Sequence, residues 1–501
     1  MNRVPALITD LAIARERIAR SVAVDGEEAH QIAVDGLVWS HAHLAAARAT
    51  RDWADRTGDS TAGALAAAAE DEAESFIRGR SLAERVAAYE RLSNIASVDL
   101  PPPGLRESED CHLLRATVRA FAEERIRPIA QQVHRDDADI PEDIIAGVAE
   151  LGLFGISIPE EYGGSQEAEA EPEAMLIATG ELSRASLAIG GSLMTRPEIL
   201  IRALVTGGTE EQRRRWLPAI AKGEWLVAVG VTEPDQGSDV ASIKCRARRL
   251  PSGEWEITGA KLWCTFAGRA ELLMILCRTG GEGHRGLSAF VLEKPAFRGR
   301  QFEHLQSGGG SLRGRAIPTI GYRGMHSFEL IFDRYRAPAW SLIGGDNGVD
   351  RGFYLQMEGF AVGRLQTAAR AVGLMQAALE AGLTYTEERR LFGKREGQLP
   401  LVRAKLGAIG VRTNAARQLS YHAARLVAEG GGQIESSLAK LYASRMAELV
   451  TREAMQLHGG MGYAEETEVS RLFVDARVLA IFEGAEEVLS LRVIGRALLK
   501  S

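Results

Sequence analysis

The sequence has little cysteine and no surplus of basic residues. Its 501 residues include four cysteines, Cys111, Cys245, Cys264 and Cys277, with no CxxC pair and no metal-ligand spacing. This pattern argues against a disulfide framework and is typical of a protein in the reducing cytoplasm. The formal net charge is −7, so no basic surface for nucleic acid or an anionic membrane is expected.

Long apolar runs are also missing. The opening stretch is broken by Asp10 and Arg15 and lacks the apolar core of a signal peptide. No apolar run reaches the roughly 18 residues that a membrane span requires. We therefore expect neither a signal peptide nor a transmembrane helix, and a cytoplasmic location.

The order of the periodic segments predicts a multidomain α+β protein. Residues 1–104 and 105–224 have helical periods, residues 225–345 have short alternating runs, and residues 346–501 return to long helical periods. The first segment carries no catalytic motif and ends at a proline-rich linker, Pro101–Gly104. We interpret residues 1–104 as a helical extension used for packing or dimerisation.

Local patterns give the element predictions more detail. Thr209 with Gln212 has the spacing of a capping box at a helix start. The alternating runs that predict strands are Trp225–Thr232, Glu254–Phe266, Glu271–Thr279, Gly286–Lys294 and Ser327–Asp333.

The segment Asp475–Glu487 is the most suggestive of catalysis. Its apolar residues Ile481 and Phe482 lead directly to Glu483, and Gly484 follows. Burying a carboxylate as an ion is unfavourable, and a carboxylate in apolar surroundings is suited to act as a general base. Gly484 lets a substrate approach the backbone closely. Taken alone, a Glu-Gly pair is more often the first turn of a helix.

Four further motifs contain residue types suited to a planar, anionic ligand. They are Thr232–Asp239 (TEPDQGSD), Lys261–Thr265 (KLWCT), Glu388–Lys394 (ERRLFGK) and Gln456–Gly462 (QLHGGMG). Hydroxyl and backbone N–H groups, paired guanidinium donors and close-lying glycine backbone all suit phosphate and ring binding. Each motif alone also has a structural explanation, such as a polar turn, a core tryptophan, a basic helix end or a satisfied His458.

Together these segments resemble the acyl-CoA dehydrogenase family, whose catalytic segment reads (I/L)-Y-E-G-T. The resemblance covers roughly residues 105–501. It implies a helical domain, a central β-barrel or sandwich domain and a C-terminal four-helix bundle, to which residues 1–104 add an extension. It also implies FAD as cofactor, Glu483 as the base that removes the α-proton of an acyl-CoA thioester, and an electron-transfer flavoprotein as electron acceptor.

The resemblance implies the flavin contacts in the middle of the chain. By analogy, Thr232 binds the pyrimidine edge of the flavin, and Ser238 contacts a flavin phosphate or the acyl-CoA arm. Trp263 would pack against the flavin ring, and Thr265 would lie near N5, the atom that accepts the hydride.

The resemblance implies a second group of flavin contacts towards the C-terminus. Arg389, in the motif that includes Phe392, would reach the flavin pyrophosphate of a neighbouring subunit, which requires a homodimer or homotetramer. Gln456, Gly459 and Gly460 correspond to a glycine-rich flavin loop.

The sequence departs from the family pattern at positions that bear on the predicted contacts. Pro400 stands where the family has Gln, and Ala485 stands where it usually has Thr. Phe266 follows Thr265 where the family continues with Asn-Gly. These changes put one adenine-side contact and one flavin hydroxyl contact in doubt and alter the pocket wall.

Further segments point to a branch of the family. Gly191–Ile199, Gly321–Met325 and Gly363–Gly373 are similar to those of enzymes that oxidise (2S)-methylsuccinyl-CoA to mesaconyl-C1-CoA in the ethylmalonyl-CoA pathway. Those relatives also have a long N-terminal helical extension.

The resemblance also implies substrate contacts. Ser238 and Gly484 are expected to contact the acyl-CoA, and Arg364 corresponds to a family arginine near the base. The free carboxylate of methylsuccinyl-CoA requires a cation, for which Arg196 is the first candidate, although a solvent-facing helix arginine explains Arg196 equally well.

Other functions remain open at this point. One is a dehydrogenase for a neutral branched acyl group, such as isobutyryl-CoA or 2-methylbutyryl-CoA. Another is an acyl-CoA oxidase, whose flavin reacts with oxygen. A relative associated with nucleic acid is disfavoured by the acidic charge balance.

Overall fold

The structure, a computed structural model, describes residues 4–25, 30–79, 91, 108–165 and 171–500. The predicted linker Pro101–Gly104 lies outside these ranges. The described residues form two compact units. We call the first the helical unit, drawn from Met1–Gln131, Pro172–Leu187 and Arg364–Ser501, and the second the sheet unit, drawn from Gln132–Glu171 and Ala188–Gly363.

Helices make up most of the described chain outside the central strands. The α-helices are α1 (Val4–Asp25), α2 (Gln31–Thr57), α3 (Ser60–Arg78), α4 (Glu109–Phe121), α5 (Arg127–Asp136), α6 (Glu142–Glu150), α7 (Glu171–Ala185), α8 (Thr195–Gly207), α9 (Glu210–Ala221), α10 (Gly352–Glu388), α11 (Pro400–Ala428), α12 (Gln433–Leu457), α13 (Glu468–Leu479), α14 (Glu486–Val488) and α15 (Arg496–Lys500). Three π-helical turns occupy Ala122–Ile126, Leu187–Gly191 and Leu489–Gly495.

The predicted capping box is confirmed at the start of α9. Thr209 Oγ1 accepts the Gln212 backbone N–H at 3.3 Å, and Gln212 Oε1 accepts the Thr209 N–H at 2.9 Å. Two of the free N–H groups at this helix end are satisfied in this way.

The N-terminal helices are part of the helical unit and pack against its C-terminal helices. Helices α1, α2 and α3 contact one another, and α2 and α3 contact α11, while α2 also contacts α12. The α2–α3 corner is sharp because Gly58 ends α2 at φ 65° and Asp59 accepts the Ala62 N–H at the start of α3.

The sheet unit is built around one eight-stranded sheet. Its strands are β1 (Val227–Gly230), β2 (Arg246–Arg249), β3 (Trp255–Thr265), β4 (Leu272–Arg278), β5 (Leu287–Glu293), β6 (Gln301–Leu305), β7 (Ser311–Ile317) and β8 (Ser327–Ala337). The order is β1-β4-β2-β3-β8-β7-β6, with β5 paired to β4. The five predicted strands are confirmed as β1, β3, β4, β5 and β8. Strands β2, β6 and β7 were not predicted.

The centre of the sheet is apolar on both faces. Strand β4 is buried at every position from Leu272 to Cys277, which explains why its sequence is continuously hydrophobic. The hydrophobic core cluster that contains β4 residues also includes apolar residues of α8 and α9, such as Leu200 and Trp216. This packing gives the loops at the strand ends a rigid base.

Among the described residues, no helix combines the length and the apolar character that a bilayer crossing needs.

Candidate active site

A buried ion pair fixes the first predicted cofactor motif in the sheet unit. Glu233 accepts a hydrogen bond from Lys261 Nζ at 2.8 Å and the backbone N–H groups of Lys244 and Cys245 at 2.6 and 2.9 Å. The Leu262 N–H donates to the Thr232 carbonyl at 2.8 Å. These bonds join the TEPDQGSD loop to the KLWCT strand, so Thr232 is held in place. Ser238 lies exposed further along the same loop.

Trp263 lies at an irregular point of β3. The β3–β8 pairing shifts register between Lys261 and Cys264, and Trp263 has a φ of 61°. A bulge of this kind redirects a side chain, and a bulky residue in the left-handed region is strained. The Trp263 side chain is 51% exposed. An aromatic ring held at the surface by strained backbone is suited to pack against a planar ligand.

Arg196 enters the sheet unit from the first turn of α8. Its side chain is buried, at 7% exposure. Arg196 Nη1 donates to the Tyr322 hydroxyl and Nη2 donates to Thr265 Oγ1, both at 3.1 Å. In the part of the chain that the structure describes, no carboxylate lies within ion-pair distance of Arg196. The solvent-facing interpretation of Arg196 is therefore wrong, and the partners of this buried cation among the described residues are neutral.

Arg323, a second cation in the Gly321–Met325 segment, differs from Arg196. Arg323 donates to the carbonyls of Thr319 and His134 at 2.9 and 3.0 Å, and Asp137 lies 3.7 Å away. Its guanidinium is already matched by protein groups, which makes Arg196 the better candidate for binding an anionic ligand.

Glu483 lies in the helical unit, in a turn between α13 and α14. We call residues 480–485 the Glu483 turn. Glu483 has φ 53° and Gly484 has φ 99°. Two successive residues in the left-handed region break the helix, so the first-turn interpretation of Glu483 is wrong. No hydrogen bond to the buried Glu483 Oε2 comes from the described residues. This oxygen is free to accept a proton.

Helix α12 holds the Glu483 turn from one side. Lys440 Nζ donates to the Gly484 carbonyl at 2.6 Å, and Ser444 Oγ donates to the Leu479 carbonyl at 3.0 Å. Arg445 Nη2 donates to Glu486 Oε2 at 2.5 Å. Three residues along one helix therefore bind the chain immediately before, within and after the turn.

Three cations surround this turn. Burial lowers the pKa of Lys440 to about 7, although Glu486 and Glu483 oppose the shift. Burial also lowers the pKa of Arg364, against the attraction of Glu483. Arg370 is fully buried, and its guanidinium lies 4.6 Å from the centre of the Phe482 ring. These positive charges attract an anionic group at the turn.

The second predicted flavin group also lies in the helical unit. Strands β9 (Arg390–Leu391) and β10 (Lys394–Arg395) form a hairpin whose two turn residues, Phe392 and Gly393, have φ 50° and 76°. Tight hairpins of this type prefer asparagine and glycine at the turn. The hairpin instead carries Phe392, whose side chain is 93% exposed. A strained aromatic residue at the tip of a hairpin suggests a binding contact.

The remaining residues of that group are open to a ligand. Arg389 is exposed, and no carboxylate of the described chain pairs with it. Gln456, Gly459 and Gly460 are also exposed, and a Cβ added to either glycine would meet no atom within 4 Å. His458 is satisfied, since its Nδ1 lies 2.8 Å from the Ala454 carbonyl and its ring stacks on Tyr385.

These residues fit FAD in chemical type. The sheet unit offers a surface tryptophan and hydroxyl groups for a ring system, and the helical unit offers a free guanidinium and open glycine backbone for a pyrophosphate.

Three domains of one known protein family match this chain. The acyl-CoA dehydrogenase N-terminal domain matches residues 108–224, the middle domain residues 228–335 and the C-terminal domain residues 350–499. The chain belongs to the acyl-CoA dehydrogenase family. It is therefore an oxidoreductase that acts on acyl-CoA, and FAD is the cofactor of the family.

Individual members of the acyl-CoA dehydrogenase family are similar along most of the chain. A (2S)-methylsuccinyl-CoA dehydrogenase of Cereibacter sphaeroides is 41% identical over 394 residues, which are 78% of this chain and 70% of that protein. Butyryl-CoA dehydrogenase from Megasphaera elsdenii has a TM-score of 0.73 at 28% identity and covers 79% of this chain and 99% of its own. A glutaryl-CoA dehydrogenase from Mycobacterium smegmatis in complex with FADH2 has a TM-score of 0.70 at 25% identity, covering 79% and 96%.

Sequence patterns did not single out several residues of this site. Lys440, Arg370, Tyr322 and Glu233 each act through a contact in the folded chain. A weak signal exists for Lys440, which is the one cation in the apolar and small-residue stretch Leu438–Ser444. A long charged residue inside such a stretch of a helix has to find a buried partner.

Proposed function

We propose that this enzyme dehydrogenates a short branched acyl-CoA that carries a free carboxylate, and that its substrate is (2S)-methylsuccinyl-CoA, giving mesaconyl-C1-CoA. The observation that carries the proposal is the buried guanidinium of Arg196 without a carboxylate partner in the described chain. The similarity to the Cereibacter sphaeroides enzyme supports the same substrate.

The charge of Arg196 favours a substrate with a free carboxylate. A guanidinium removed from water loses hydration that two neutral hydroxyl groups restore only in part. Two of its five N–H groups are used by Tyr322 and Thr265, so others remain for an anion. A substrate carboxylate would neutralise the charge and accept paired hydrogen bonds. A neutral acyl end would leave the cation uncompensated.

Glu483 is the proposed base. Its carboxylate would remove the α-proton, the electrons of that C–H bond would form the new C=C bond, and the β-hydrogen would leave as hydride. The backbone N–H of Glu483 would donate to the thioester carbonyl and stabilise the charge that develops on its oxygen. FAD, when bound, supplies the two-electron acceptor for this hydride.

The remaining proposed contacts follow the family motifs. Thr232, Ser238, Trp263 and Thr265 would hold the flavin in the sheet unit, and Arg389, Phe392, Gln456, Gly459 and Gly460 would do so in the helical unit. Ser238, Gly484, Arg364 and Arg196 would contact the substrate. Thr265 has a double role here, because its hydroxyl also accepts the hydrogen bond that orients Arg196.

The proposed function includes a subunit partner, an electron acceptor and a cellular location. The exposed Phe392 supports a homodimer or homotetramer in which a neighbouring subunit covers this hairpin. An electron-transfer flavoprotein would accept the electrons. No disulfide joins the four cysteines in the described chain, which fits a reducing cytoplasm.

A substrate panel tests the proposal. Purified FAD-loaded enzyme is assayed with an artificial electron acceptor and methylsuccinyl-CoA, isobutyryl-CoA or 2-methylbutyryl-CoA. We expect the highest kcat/KM with methylsuccinyl-CoA. A preference for either neutral substrate would refute the carboxylate assignment, and rapid peroxide formation without acceptor would indicate an oxidase.

A further inference from the structure

The N-terminal helices contain no motif of the family, yet α2 contacts the segment that follows the Glu483 turn. The contact region on the other side is the π-helical turn Leu489–Gly495. The Gly495 backbone packs closely against the Val34 side chain there, since a Cβ on Gly495 would lie 2.5 Å from Val34 Cγ1. All of these residues belong to the helical unit.

A short hydrogen bond joins α2 to this turn. Ser490 Oγ donates to Asp35 Oδ1 at 2.6 Å. Ser490 is fully buried, and Asp35 is half-buried. A charge-assisted bond in buried surroundings is stronger than one at the surface. It anchors a residue that lies seven positions after Glu483.

A second link passes through Arg445. One face of its guanidinium lies 3.8 Å from the centre of the Trp39 ring, and the same group donates to Glu486. Stacking on an indole restricts the rotamers of a long side chain, and a cation over an aromatic face is also attracted to it. Trp39, which is buried, therefore fixes the orientation of Arg445. Arg445 in turn binds Glu486, which lies three residues after Glu483.

The Glu483 turn needs such support. A glutamate at φ 53° is in a strained conformation that persists only where the surrounding structure determines it. Helix α12 supplies Lys440, Ser444 and Arg445, but Arg445 in turn depends on Trp39 for its orientation. The chain after the turn is held by Asp35.

We propose that α2 is a positioning element of the active site, in which Asp35 and Trp39 hold the segment that fixes the Glu483 carboxylate. The proposal rests on the proposed role of Glu483 as the base. It gives residues of the extension a part in the reaction although they lie outside the matched family domains. Displacement of a catalytic group by about 1 Å is enough to lower a rate by up to roughly a hundredfold.

Full-length variants of Asp35 and Trp39 test this. Trp39→Ala and Asp35→Ala should each lower kcat about tenfold and change KM less than about twofold, because the base moves while Ser238 and Arg196, substrate contacts outside the turn, stay in place. Amide hydrogen exchange in residues 480–495 should rise in both variants. Trp39→Phe and Asp35→Asn retain a ring and a hydrogen-bond acceptor, so they should restore most of the rate.

Trp53→Ala is the matched control. Trp53 lies on the same helix, is also buried, and stands 14 positions from Trp39, roughly 21 Å along the axis. It should leave exchange in residues 480–495 and kcat of the folded enzyme unchanged. Equal effects of Trp53→Ala and Trp39→Ala, or unchanged exchange in the Asp35 and Trp39 variants, would overturn the proposal.

The exchange measurement separates this inference from the proposed function. If Glu483→Gln retains turnover, the base lies elsewhere and the proposed role of Glu483 fails. Raised exchange in residues 480–495 of Trp39→Ala would still show that α2 holds the turn. Raised exchange with an unchanged kcat would refute the effect of α2 on catalysis, but not its support of the turn.

Discussion

Lys440 Nζ donates a hydrogen bond of 2.6 Å to the carbonyl oxygen of Gly484, and the Lys440 side chain is fully buried. Arg364 and Arg370 add positive charge to the same region, while Glu483 and Glu486 oppose it. A buried ammonium between charges of both signs is expected to titrate far from its ordinary range.

Stability should depend on the protonation of Lys440. Its pKa is about 7 in the folded chain and near 10.5 when unfolded, so the unfolded chain binds more protons between these values. The free energy of unfolding should therefore rise with pH across that window, by at most about 1.4 kcal/mol per pH unit. Urea unfolding of wild type and Lys440→Met at several pH values measures this. The same pH slope in both proteins would contradict it.

Glu483→Gln should abolish turnover but not FAD binding. The amide has nearly the same shape but cannot accept the α-proton, so kcat should fall on the order of 10³-fold. The flavin spectrum and acyl-CoA binding, followed by titration, should remain close to wild type. A near-normal rate would place the base elsewhere and make the Glu483 turn structural.

Arg196→Met should change substrate preference. Loss of the cation would leave the distal carboxylate of methylsuccinyl-CoA without a partner, which should lower kcat/KM roughly a hundredfold, or about 3 kcal/mol. Activity with 2-methylbutyryl-CoA should fall much less or rise. Arg202→Met is the control, since Arg202 lies on the same helix α8 and has no ion pair in the described chain. Equal losses on both substrates would show that Arg196 supports the fold.

Glu233→Gln should destabilise the sheet unit. It leaves the buried Lys261 ammonium without its counter-ion, a change that typically costs about 3–5 kcal/mol. Thr232 and Trp263 would lose their shared support, so less FAD should co-purify. The urea midpoint and the flavin content measure the two effects. Glu329→Gln, which breaks the exposed pair with Arg315, is the control. A similar loss of stability and flavin content in Glu329→Gln would argue against a special role of the buried Glu233–Lys261 pair.

Strands could be predicted from the sequence where the hydrophobic pattern agrees with the burial of the residues. Strands β4 and β5 are buried on both faces and have continuous hydrophobic runs, so they were predicted correctly. Strands β2, β6 and β7 have arginines or other polar residues at exposed positions, for example Arg246 and Arg313. Their pairing with neighbours rather than their own composition makes them strands.

The same distinction applies to the site. Glu483 and Trp263 were singled out because they lie in recognisable motifs, but their backbone strain and partners were not predictable. The bonds Lys440–Gly484 and Arg196–Tyr322 join residues 44 and 126 positions apart. Such contacts depend on the complete fold, and a local pattern does not identify the partner residue.

The packing of α2 and α3 on the C-terminal helices has a practical consequence for shortening the chain. His43 of α2 stacks on Phe76 of α3 and meets the edge of Tyr442, a buried residue of α12. A protein that began at residue 108, the start of the matched family region, would expose this aromatic and aliphatic surface to water. Apolar patches of that kind promote aggregation, so the family-length fragment is a poor choice for expression and the extension belongs in every version made for study.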